Sequence, residues 1–389
     1  MSWDIVGMGA VANVGNDPAE IFDGLCQGRD GRAPLRAFDR RNYRSKHAYE
    51  IDDRPPGGSD RPAPDRAGRP TEWLRAAIGQ ALAQAGLDPW QPDLPVLVGT
   101  TLREQRSVEL WWREQHALDL DGLYFGPALR EAFGSTQSWT VANACSASLY
   151  TLAMATDLME LAELDTVVVA GTDAITESAF GTLDRVQNES PQHLRAFDES
   201  HLGMLMGEGA AAVVIRRSAG HEAGHEAGQQ ALGRLLGVGI NCDAKHPTAP
   251  DGDSIRWVVG EAHRRSGRSA ADIDLVMLHG TGTPKNDETE ASVMREVFAD
   301  VPRQPSMTAV KTVTGHTLGG SGLLSLVTAV QALRTGLVPP VLGLQRPIPA
   351  AAGLDLVSTA PRRRKLDTAQ VNSFGFGGIN AVAVLEAVA

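Results

Sequence analysis

Cysteine is scarce in this chain of 389 residues, and the three that occur, Cys26, Cys145 and Cys242, lie far apart. Separated cysteines of odd number support neither a disulfide framework nor a zinc knuckle, and they fit a reducing compartment such as the cytoplasm. The N-terminus lacks the basic start and apolar stretch of a secretion signal. The longest uncharged runs, 132–156 and 312–333, are interrupted by glycine and polar residues, which predicts buried segments rather than membrane spans.

An excess of positive charge is also missing. The formal net charge is −11, which argues against binding of nucleic acid or anionic membranes, because phosphate-rich surfaces attract proteins with concentrated Lys and Arg. One short basic run, Arg-Arg-Arg-Lys, does occur at residues 362–365. We interpret it as a solvated loop that is also a candidate contact for an acidic partner.

Short apolar runs alternate with helical periodicity, which indicates an α/β fold. The runs predict strands that are apolar on both faces, and such strands belong to a sheet covered by helices on both sides; they lie at 4–11, 95–99, 166–170, 211–215, 275–278 and 381–385. Helical spacing occurs at 18–26 and from Trp73 onwards, and the mostly apolar stretch 146–164 predicts a buried helix. Residues 53–71, rich in Pro, Gly, Asp and Arg, predict an exposed loop.

Cys145 lies where a short predicted strand ends and the long helix begins. Backbone N–H groups in the first helical turn and the positive end of the helix dipole favour a thiolate at such a position. The neighbours Ala144, Ser146, Ala147 and Ser148 are small and leave room for a substrate to approach the sulfur. An isolated cysteine is more often a small core residue, so a catalytic role for Cys145 depends on the other motifs.

Two histidines lie in glycine-containing loops. His279 follows a predicted strand and precedes Gly-Thr-Gly-Thr-Pro, with Glu290 downstream, while His316 lies five residues after Lys311 in a loop that opens a helix. Strand ends are where α/β proteins bind ligands. Either histidine alone more often has a structural role, but two loop histidines together with Cys145 predict an active site. Residues 372–380 add a glycine-dense turn whose N–H groups are suited to a developing oxyanion.

In order and approximate spacing these four motifs resemble those of the β-ketoacyl synthases, the thiolase-fold condensing enzymes of fatty-acid and polyketide synthesis, over nearly the whole chain. The resemblance implies a thiolase-like α/β fold of two similar halves in a five-layer α-β-α-β-α arrangement. On this resemblance, residues 1–217 are expected to form the half with the nucleophile, and residues 230–389 the half with both histidine loops. The loop from His279 to Asp287 is most similar to that of type II polyketide ketosynthases.

The resemblance also implies roles for single residues. Cys145 takes the acyl chain for a decarboxylative Claisen condensation with malonyl acyl carrier protein, and His279 and His316 correspond to the decarboxylation histidines. Lys311 is expected to orient His316, and Glu290 to pair with the same network. Acyl groups arrive on the phosphopantetheine of an acyl carrier protein, with no metal or other cofactor. The chain is expected to form a homodimer, or a heterodimer with a chain-length factor.

Phe376 corresponds to the aromatic residue that gates the acyl pocket. The backbone N–H groups of Phe376 and Cys145 correspond to the donors of the oxyanion hole. Two segments depart from the family pattern. Residues 201–204, His-Leu-Gly-Met, replace an Arg-Asp-Gly-Phe-like loop, and residues 103–106, Arg-Glu-Gln-Arg, are unusually charged for a segment that follows a core strand.

Other hypotheses stay open at this point. Gly7-Met8-Gly9 imitates a dinucleotide-binding turn and with it an NAD-dependent oxidoreductase, although the required acidic residue at the end of a second strand is not evident. His221 and His225 have the spacing of a zinc protease, although glycines around them disfavour a helix. A non-catalytic partner resembling a chain-length factor would lack the cysteine that Cys145 supplies. Acyl chain length and the choice between fatty-acid and polyketide synthesis also stay open.

Overall fold

In the computed structural model, which describes residues 2–54, 65–218 and 230–388, strands and helices alternate along the chain. The strands are β1 (Trp3–Ala12), β2 (Ala33–Pro34), β3 (His47–Ala48), β4 (Val96–Thr100), β5 (Ser138–Ala142), β6 (Thr166–Asp173), β7 (Gly209–Arg217), β8 (Gly233–Cys242), β9 (Leu275–Met277), β10 (Ser306–Thr308), β11 (Leu337–Val338), β12 (Asp355–Leu356), β13 (Arg362–Arg363), β14 (Thr368–Gly375) and β15 (Ile379–Glu386). The helices are α1 (Pro18–Cys26), α2 (Arg69–Gln84), α3 (Gln105–Trp112), α4 (Phe125–Phe133), α5 (Ala147–Leu161), α6 (Glu177–Val186), α7 (Gly252–Ser266), α8 (Pro284–Val297), α9 (Lys311–Thr314) and α10 (Ser321–Thr335).

The main sheet repeats one strand pattern twice. The N-terminal half has the order β1-β7-β6-β4-β5, and the C-terminal half has the order β8-β15-β14-β9-β10, with β12 at its edge. In each half the first three strands are antiparallel neighbours, and the last two join in parallel. Residues 3–5 pair with residues 233–235 and join the halves. The two similar halves implied by the family resemblance are therefore confirmed.

Helices α5 and α10 lie between the two halves of the sheet. Helix α5 contacts β4 and β6 on one side and β8 and β15 on the other, and α10 contacts strands of both halves in the same way. Helix α2 covers the outer face of the N-terminal half, and α7 and α8 cover that of the C-terminal half. This is the expected five-layer arrangement. It explains why residues 167–170 of β6 are all apolar: Val167 and Val169 face the central helices, while Val168 and Ala170 face α2.

The two long uncharged runs supply the central layer of the molecule. Helix α5 begins in the first run, and α10 begins in the second and is buried along almost all of its length. No helix in the described parts of the chain is long and apolar enough to cross a membrane.

Gly7 and Gly9 lie inside strand β1, where helix α2 packs directly on the backbone. A Cβ atom on Gly7 would lie 2.0 Å from the carbonyl oxygen of Ala81, and one on Gly9 would lie 1.9 Å from that of Ala77. Strand β1 also pairs with β7 along its length. The motif is thus a close contact between strand and helix rather than a phosphate-binding turn, and the dinucleotide hypothesis is wrong for it.

The expected exposed loop at 53–71 is wrong where the structure describes it, because its ends supply part of a buried network of charges. Arg69 begins helix α2, and both its terminal nitrogens lie 2.8 Å from the Glu208 carboxylate. Arg106, in the unusually charged segment 103–106, lies 2.7 Å from Asp65. The buried members of the network are Glu50, Arg54, Asp65, Arg69, Arg106 and Glu208. Pairing permits this burial, since unpaired charges are excluded from protein interiors.

The basic run at 362–365 is not a free loop either. Its first two residues form β13, which pairs with β11. The guanidinium groups of Arg362 and Arg364 contact the Asp355 carboxylate, and Arg364 donates to the Gln304 carbonyl at 2.9 Å. Gln304 precedes β10, so the run lies at the amino ends of the C-terminal strands. Much of its charge is therefore used within the fold.

We predict that Gly9→Ala destabilises the protein by at least about 3 kcal/mol, because no side chain rotation moves the Ala77 carbonyl away from the new methyl group. The matched control is Gly79→Ala on helix α2, where an added Cβ atom meets no atom within 4 Å. That substitution should stabilise the protein by about 0.5–1 kcal/mol. Urea unfolding measures both changes, and equal stability of the two variants would contradict the packing described for β1 and α2.

Candidate active site

Loops from both halves of the sheet converge on one cleft that opens to solvent. Cys145 follows β5 in the N-terminal half, and His279 follows β9 in the C-terminal half. His316 lies between α9 and α10, and Phe376 in the turn between β14 and β15. All four residues line the cleft. The structure therefore brings together the motifs that lie far apart in the sequence.

Cys145 is the middle residue of a single 3₁₀ turn, Ala144–Ser146, that leads into helix α5. Ala144 has a φ angle of 45°, which is left-handed and unusual for a residue other than glycine. The Thr101 hydroxyl donates to the Ala144 carbonyl at 3.0 Å and the Ser146 hydroxyl to the Ile379 carbonyl at 2.9 Å, so both ends of the turn are held. The Phe376 N–H group is directed at the sulfur.

Burial opposes the thiolate that the helix start is expected to favour at Cys145. Cys145 is only 6% exposed, and burial raises the pKa of its thiol to about 11, although the nearby Lys311 charge and the N–H of Phe376 act in the opposite direction. The cost of removing the sulfur from water therefore exceeds the stabilisation that the helix start gives to a thiolate. The sequence pattern indicated the helix start but not how deeply the sulfur is buried. The resting sulfur is a neutral thiol.

His316 has a defined orientation and a defined protonation. Its Nδ1 atom accepts a hydrogen bond from the Leu318 N–H at 3.2 Å, so the neutral ring carries its proton on Nε2. That Nε2 atom is buried and has no hydrogen-bond partner among the described residues. Burial, followed by the Lys311 charge, holds the pKa of His316 well below its ordinary value. His316 therefore presents an unused N–H donor in the site.

Lys311 contacts His279 rather than His316, which corrects the expected pairing. Its Nζ donates to the His279 carbonyl at 2.7 Å and lies 3.4 Å from His279 Nδ1. Burial lowers the pKa of Lys311 to about 8, so the amine is mostly protonated at pH 7. Burial, then the charge on Lys311, lowers the pKa of His279 well below its ordinary value. An ammonium beside Nδ1 leaves the His279 proton on Nε2.

Glu290 holds the loop that carries His279. Its buried carboxylate accepts the His279 N–H at 2.7 Å, the Gly280 N–H at 2.9 Å and the Asn372 side-chain amide at 3.0 Å. Burial raises the pKa of Glu290 against these hydrogen bonds. The expected connection of Glu290 with the histidine network thus exists, and it runs through the backbone of His279.

The departure at 201–204 turns out to brace the same loop. His201 Nδ1 lies 3.3 Å from the Asp287 carboxylate, which also accepts the Gly282 N–H at 3.2 Å and the Phe197 N–H at 2.8 Å. Met204, at the end of this segment, lines the cleft. The unusual sequence therefore forms one wall of the site.

Phe376 is 39% exposed and lines the cleft with Thr248–Pro250 of the loop after β8. Its turn is shorter than the sequence pattern indicates, because residues 372–375 belong to β14 and only 376–378 connect it to β15. The Gly377 N–H donates to the Pro247 carbonyl at 2.8 Å, which ties the turn to that loop.

Several polar residues around the site were missed by the motif analysis. Asn372 contacts Glu290, Asn286 lies 3.2 Å from Asp287 and lines the cleft, and Asp173 holds the turn after His316. Each is a buried polar side chain, and a buried polar group needs partners. That signal was present at Asp173, the only charged residue of its strand.

A metal centre finds no support in the described parts of the chain, where no group of three or more His, Cys, Asp or Glu residues is arranged to hold an ion. His221 and His225 lie outside the described residues. All three cysteines are free.

Comparison with known proteins gives relatives over the full length. The chain is 27% identical to 3-oxoacyl-(acyl-carrier-protein) synthase 2 of Coxiella burnetii, covering 99% of this chain and 98% of the relative. It is 29% identical to the tetracenomycin polyketide synthase ketoacyl synthase alpha subunit of Streptomyces glaucescens, covering 98% and 96%. Among solved structures, the ishigamide ketosynthase/chain length factor superposes with a TM-score of 0.88 at 27% identity, covering 100% and 99%.

Family models agree with these relatives. Residues 4–221 match the model described as Beta-ketoacyl synthase, N-terminal domain, and residues 232–345 match Beta-ketoacyl synthase, C-terminal domain. Since the two matches cover most of the sequence and leave the site loops in the order observed, the chain belongs to the β-ketoacyl synthase family.

Proposed function

We propose that this protein is a β-ketoacyl-acyl carrier protein synthase that joins an acyl chain held on Cys145 to a malonyl unit on acyl carrier protein. The observation that carries the proposal is the convergence on one cleft of the Cys145 sulfur, two neutral histidines and the N–H groups of Cys145 and Phe376. The names of the relatives support the same reaction.

In the first step Cys145 attacks the acyl thioester. A bond forms between its sulfur and the acyl carbon, and the bond to the pantetheine sulfur breaks. Because the pKa of the thiol is raised to about 11, its proton must leave during attack, and the departing pantetheine sulfur takes it up. The oxyanion of the tetrahedral intermediate lies between the N–H groups of Cys145 and Phe376.

In the second step malonyl carrier protein loses carbon dioxide. The electron pair of the broken bond moves into the thioester and leaves an enolate oxygen, which the Nε2–H groups of His279 and His316 stabilise. Both rings are neutral, so they donate without gaining a proton. Lys311 donates a hydrogen bond to the His279 carbonyl and Glu290 accepts one from the His279 N–H, and neither needs to contact the substrate.

In the third step the enolate carbon attacks the acyl group on Cys145, and the new carbon–carbon bond forms as the thiolate of Cys145 leaves. The thiolate then takes up a proton from solvent, which restores the resting thiol. These steps use the sulfur, the N–H donors and the two thioesters, so we propose that no metal or organic cofactor takes part. Acyl groups come and go on the phosphopantetheine arm of the carrier protein.

We further infer a dimer in the cytoplasm. Strand β5 is an edge of the main sheet, and it exposes 44% of Trp139, which suits pairing with another chain. A second copy and a chain-length factor both fit this edge.

The resemblance of the His279–Asp287 loop favours type II polyketide synthesis over fatty-acid synthesis. Free cysteines suit a reducing compartment.

The carrier protein docks, we infer, beside Lys285 rather than at residues 362–365. Lys285 is exposed at the first turn of α8, between Thr283 and Asn286, which both line the cleft. The basic run lies instead at the amino ends of the C-terminal strands, whereas His279 lies at a carboxyl end. An acidic carrier is attracted by a cation at the mouth.

Separate measurements of acylation and decarboxylation distinguish the role of the cysteine from that of the two histidines. Cys145→Ala should remain folded and form neither acyl-enzyme nor condensation product. His279→Ala and His316→Ala should still form acyl-Cys145 but release carbon dioxide from malonyl carrier protein about a hundredfold more slowly, the loss typical of one oxyanion donor. Lys311→Ala should follow His279→Ala in milder form. Intact mass spectrometry and labelled carbon dioxide measure the two steps, and normal decarboxylation by His279→Ala would show that this ring is structural.

The proposed oxyanion site requires that residue 375 has no side chain. A Cβ atom there would lie 3.3 Å from the Cys145 nitrogen and 3.1 Å from the Ile379 carbonyl. Gly375→Ala should therefore fold and acylate Cys145 about a hundredfold more slowly, because the methyl group blocks the donor. Iodoacetamide provides the control: its attack on the sulfur forms no oxyanion, so alkylation should stay near the wild-type rate. An acylation rate within threefold of wild type would remove Cys145 N–H from the mechanism.

Carrier docking is tested with one charge reversal at each location. Lys285→Glu should weaken the apparent carrier affinity about tenfold and reduce its salt dependence, because a repulsive charge then faces an acidic partner. Lys365→Glu is the matched control and should leave the affinity unchanged. Steady-state condensation at several salt concentrations gives both values. A larger effect at Lys365 would place the docking surface at the basic run after all.

A further inference from the structure

The two halves begin their central helices with the same turn. A 3₁₀ turn precedes α5 at Ala144–Ser146 and α10 at Leu318–Gly320. The first residue of each turn is left-handed although neither is glycine, with φ angles of 45° at Ala144 and 48° at Leu318. The middle residues are Cys145 and Gly319, so the N–H groups of these two residues are structurally equivalent.

The residues that face these two N–H groups differ. Strands β6 and β14 hold equivalent places in the two halves, and their last residues are Asp173 and Gly375. Gly375 leaves the space beside the Cys145 nitrogen open. The Asp173 carboxylate instead accepts the Gly319 N–H at 2.7 Å. A permanent carboxylate thus occupies, at the second turn, the place that corresponds to the proposed oxyanion at Cys145.

Asp173 is fully buried and binds a second loop at the same time. Its carboxylate accepts the Thr100 hydroxyl at 2.9 Å, the Thr101 N–H at 2.9 Å and the Leu102 N–H at 2.7 Å. Burial raises the pKa of Asp173 to about 6 against these hydrogen bonds, so the group is mostly ionised at pH 7. The carboxylate therefore fixes Gly319 relative to the end of β4.

Leu318 connects this anchor to the catalytic ring. The peptide group after Leu318 carries the Gly319 N–H, which Asp173 holds, and the peptide group before it carries the N–H that donates to His316 Nδ1 at 3.2 Å. The left-handed conformation of Leu318 sets the angle between these two groups, and it costs about 1–2 kcal/mol for a residue with a side chain. Something must hold it, and Asp173 binds the adjacent N–H.

We propose that Asp173 is a positioning residue for His316, which it acts on through the Gly319 N–H and the left-handed Leu318. The inference rests on the proposed function, because His316 is taken as a donor to the enolate. Asp173 touches no substrate. Its loss turns the Leu318 N–H away from Nδ1 and so misdirects the Nε2 proton.

The cysteine turn is held partly by Thr101, whose N–H group Asp173 binds, but it also has two attachments that do not involve Asp173. The Ser373 hydroxyl donates to the Cys145 carbonyl at 3.1 Å, and the Ser146 hydroxyl to the Ile379 carbonyl at 2.9 Å. Acylation of Cys145 is therefore expected to survive a change at Asp173 that slows decarboxylation. The readout is the rate of decarboxylation divided by the rate of acylation, since unfolding of part of the sample lowers both rates equally.

The test is Asp173→Asn, which keeps the size of the side chain but replaces one acceptor oxygen by a donor. Decarboxylation of malonyl carrier protein should fall by at least about tenfold, and acylation by less than about threefold, as expected for a misplaced catalytic group. Asp184→Asn is the matched control. Its buried carboxylate likewise accepts two backbone N–H groups, those of Arg44 and Ser45 at 2.9 and 2.7 Å, and the rate ratio should be unchanged.

Equal losses of both rates in Asp173→Asn would mean that Asp173 is only structural and would overturn the proposal. Should that variant fail to fold, Thr100→Val removes one hydrogen bond to the carboxylate at nearly constant volume, and it should lower the rate ratio about threefold. An unchanged ratio there also contradicts the proposal. A wild-type protein that neither acylates nor decarboxylates would instead refute the proposed function, so the two failures are distinguishable.

Discussion

Backbone N–H groups at the start of the two central helices are the feature on which both halves of the site depend. Each follows a left-handed residue, and each is directed at a place suited to negative charge. At Gly319 the Asp173 carboxylate fills that place, while at Cys145 it is left open by Gly375. One local structure therefore serves as a structural anchor in one copy and as a reaction site in the other. The repeated sheet makes this possible, because it sets both helices at equivalent strand ends.

Burial decides which groups of the site carry charge. It raises the pKa of the Cys145 thiol to about 11 and lowers the pKa values of both histidines, so the groups that face the cleft are neutral. The charged groups, Lys311 and Glu290, lie behind His279 and bind its backbone. A neutral imidazole whose Nδ1 atom already contacts another group has only its Nε2–H group available, and this group donates a hydrogen bond. The chemistry at the cleft is therefore hydrogen-bond donation to anions that form during the reaction.

Sequence patterns predicted well those features that depend on local composition. Apolar β-branched runs gave the strands, and the cysteine, the two histidines and the glycine-dense turn lie on one cleft as expected. The errors concern burial and side-chain partners, which a pattern does not show. Residues 53–71 were expected to be exposed because they are rich in Pro, Gly, Asp and Arg, but Arg69 and Asp65 are buried by pairing with Glu208 and Arg106, which are far away in sequence. The family resemblance implied that Lys311 orients His316, whereas α9 directs its amine at His279. The hydrogen bond from Gly319 to Asp173 joins residues 146 positions apart, which no local pattern indicates.

The central claim is that Cys145 carries the growing chain. It is tested most directly by incubating the protein with an acyl carrier protein thioester and mapping the added mass on proteolytic peptides. We expect one acyl group on the peptide that contains Cys145 and none on those with Cys26 or Cys242. That group should be transferred to a β-ketoacyl product when malonyl carrier protein is added. An acyl group on a different residue, or a protein that stays unmodified with every donor chain length while folded, would contradict the account.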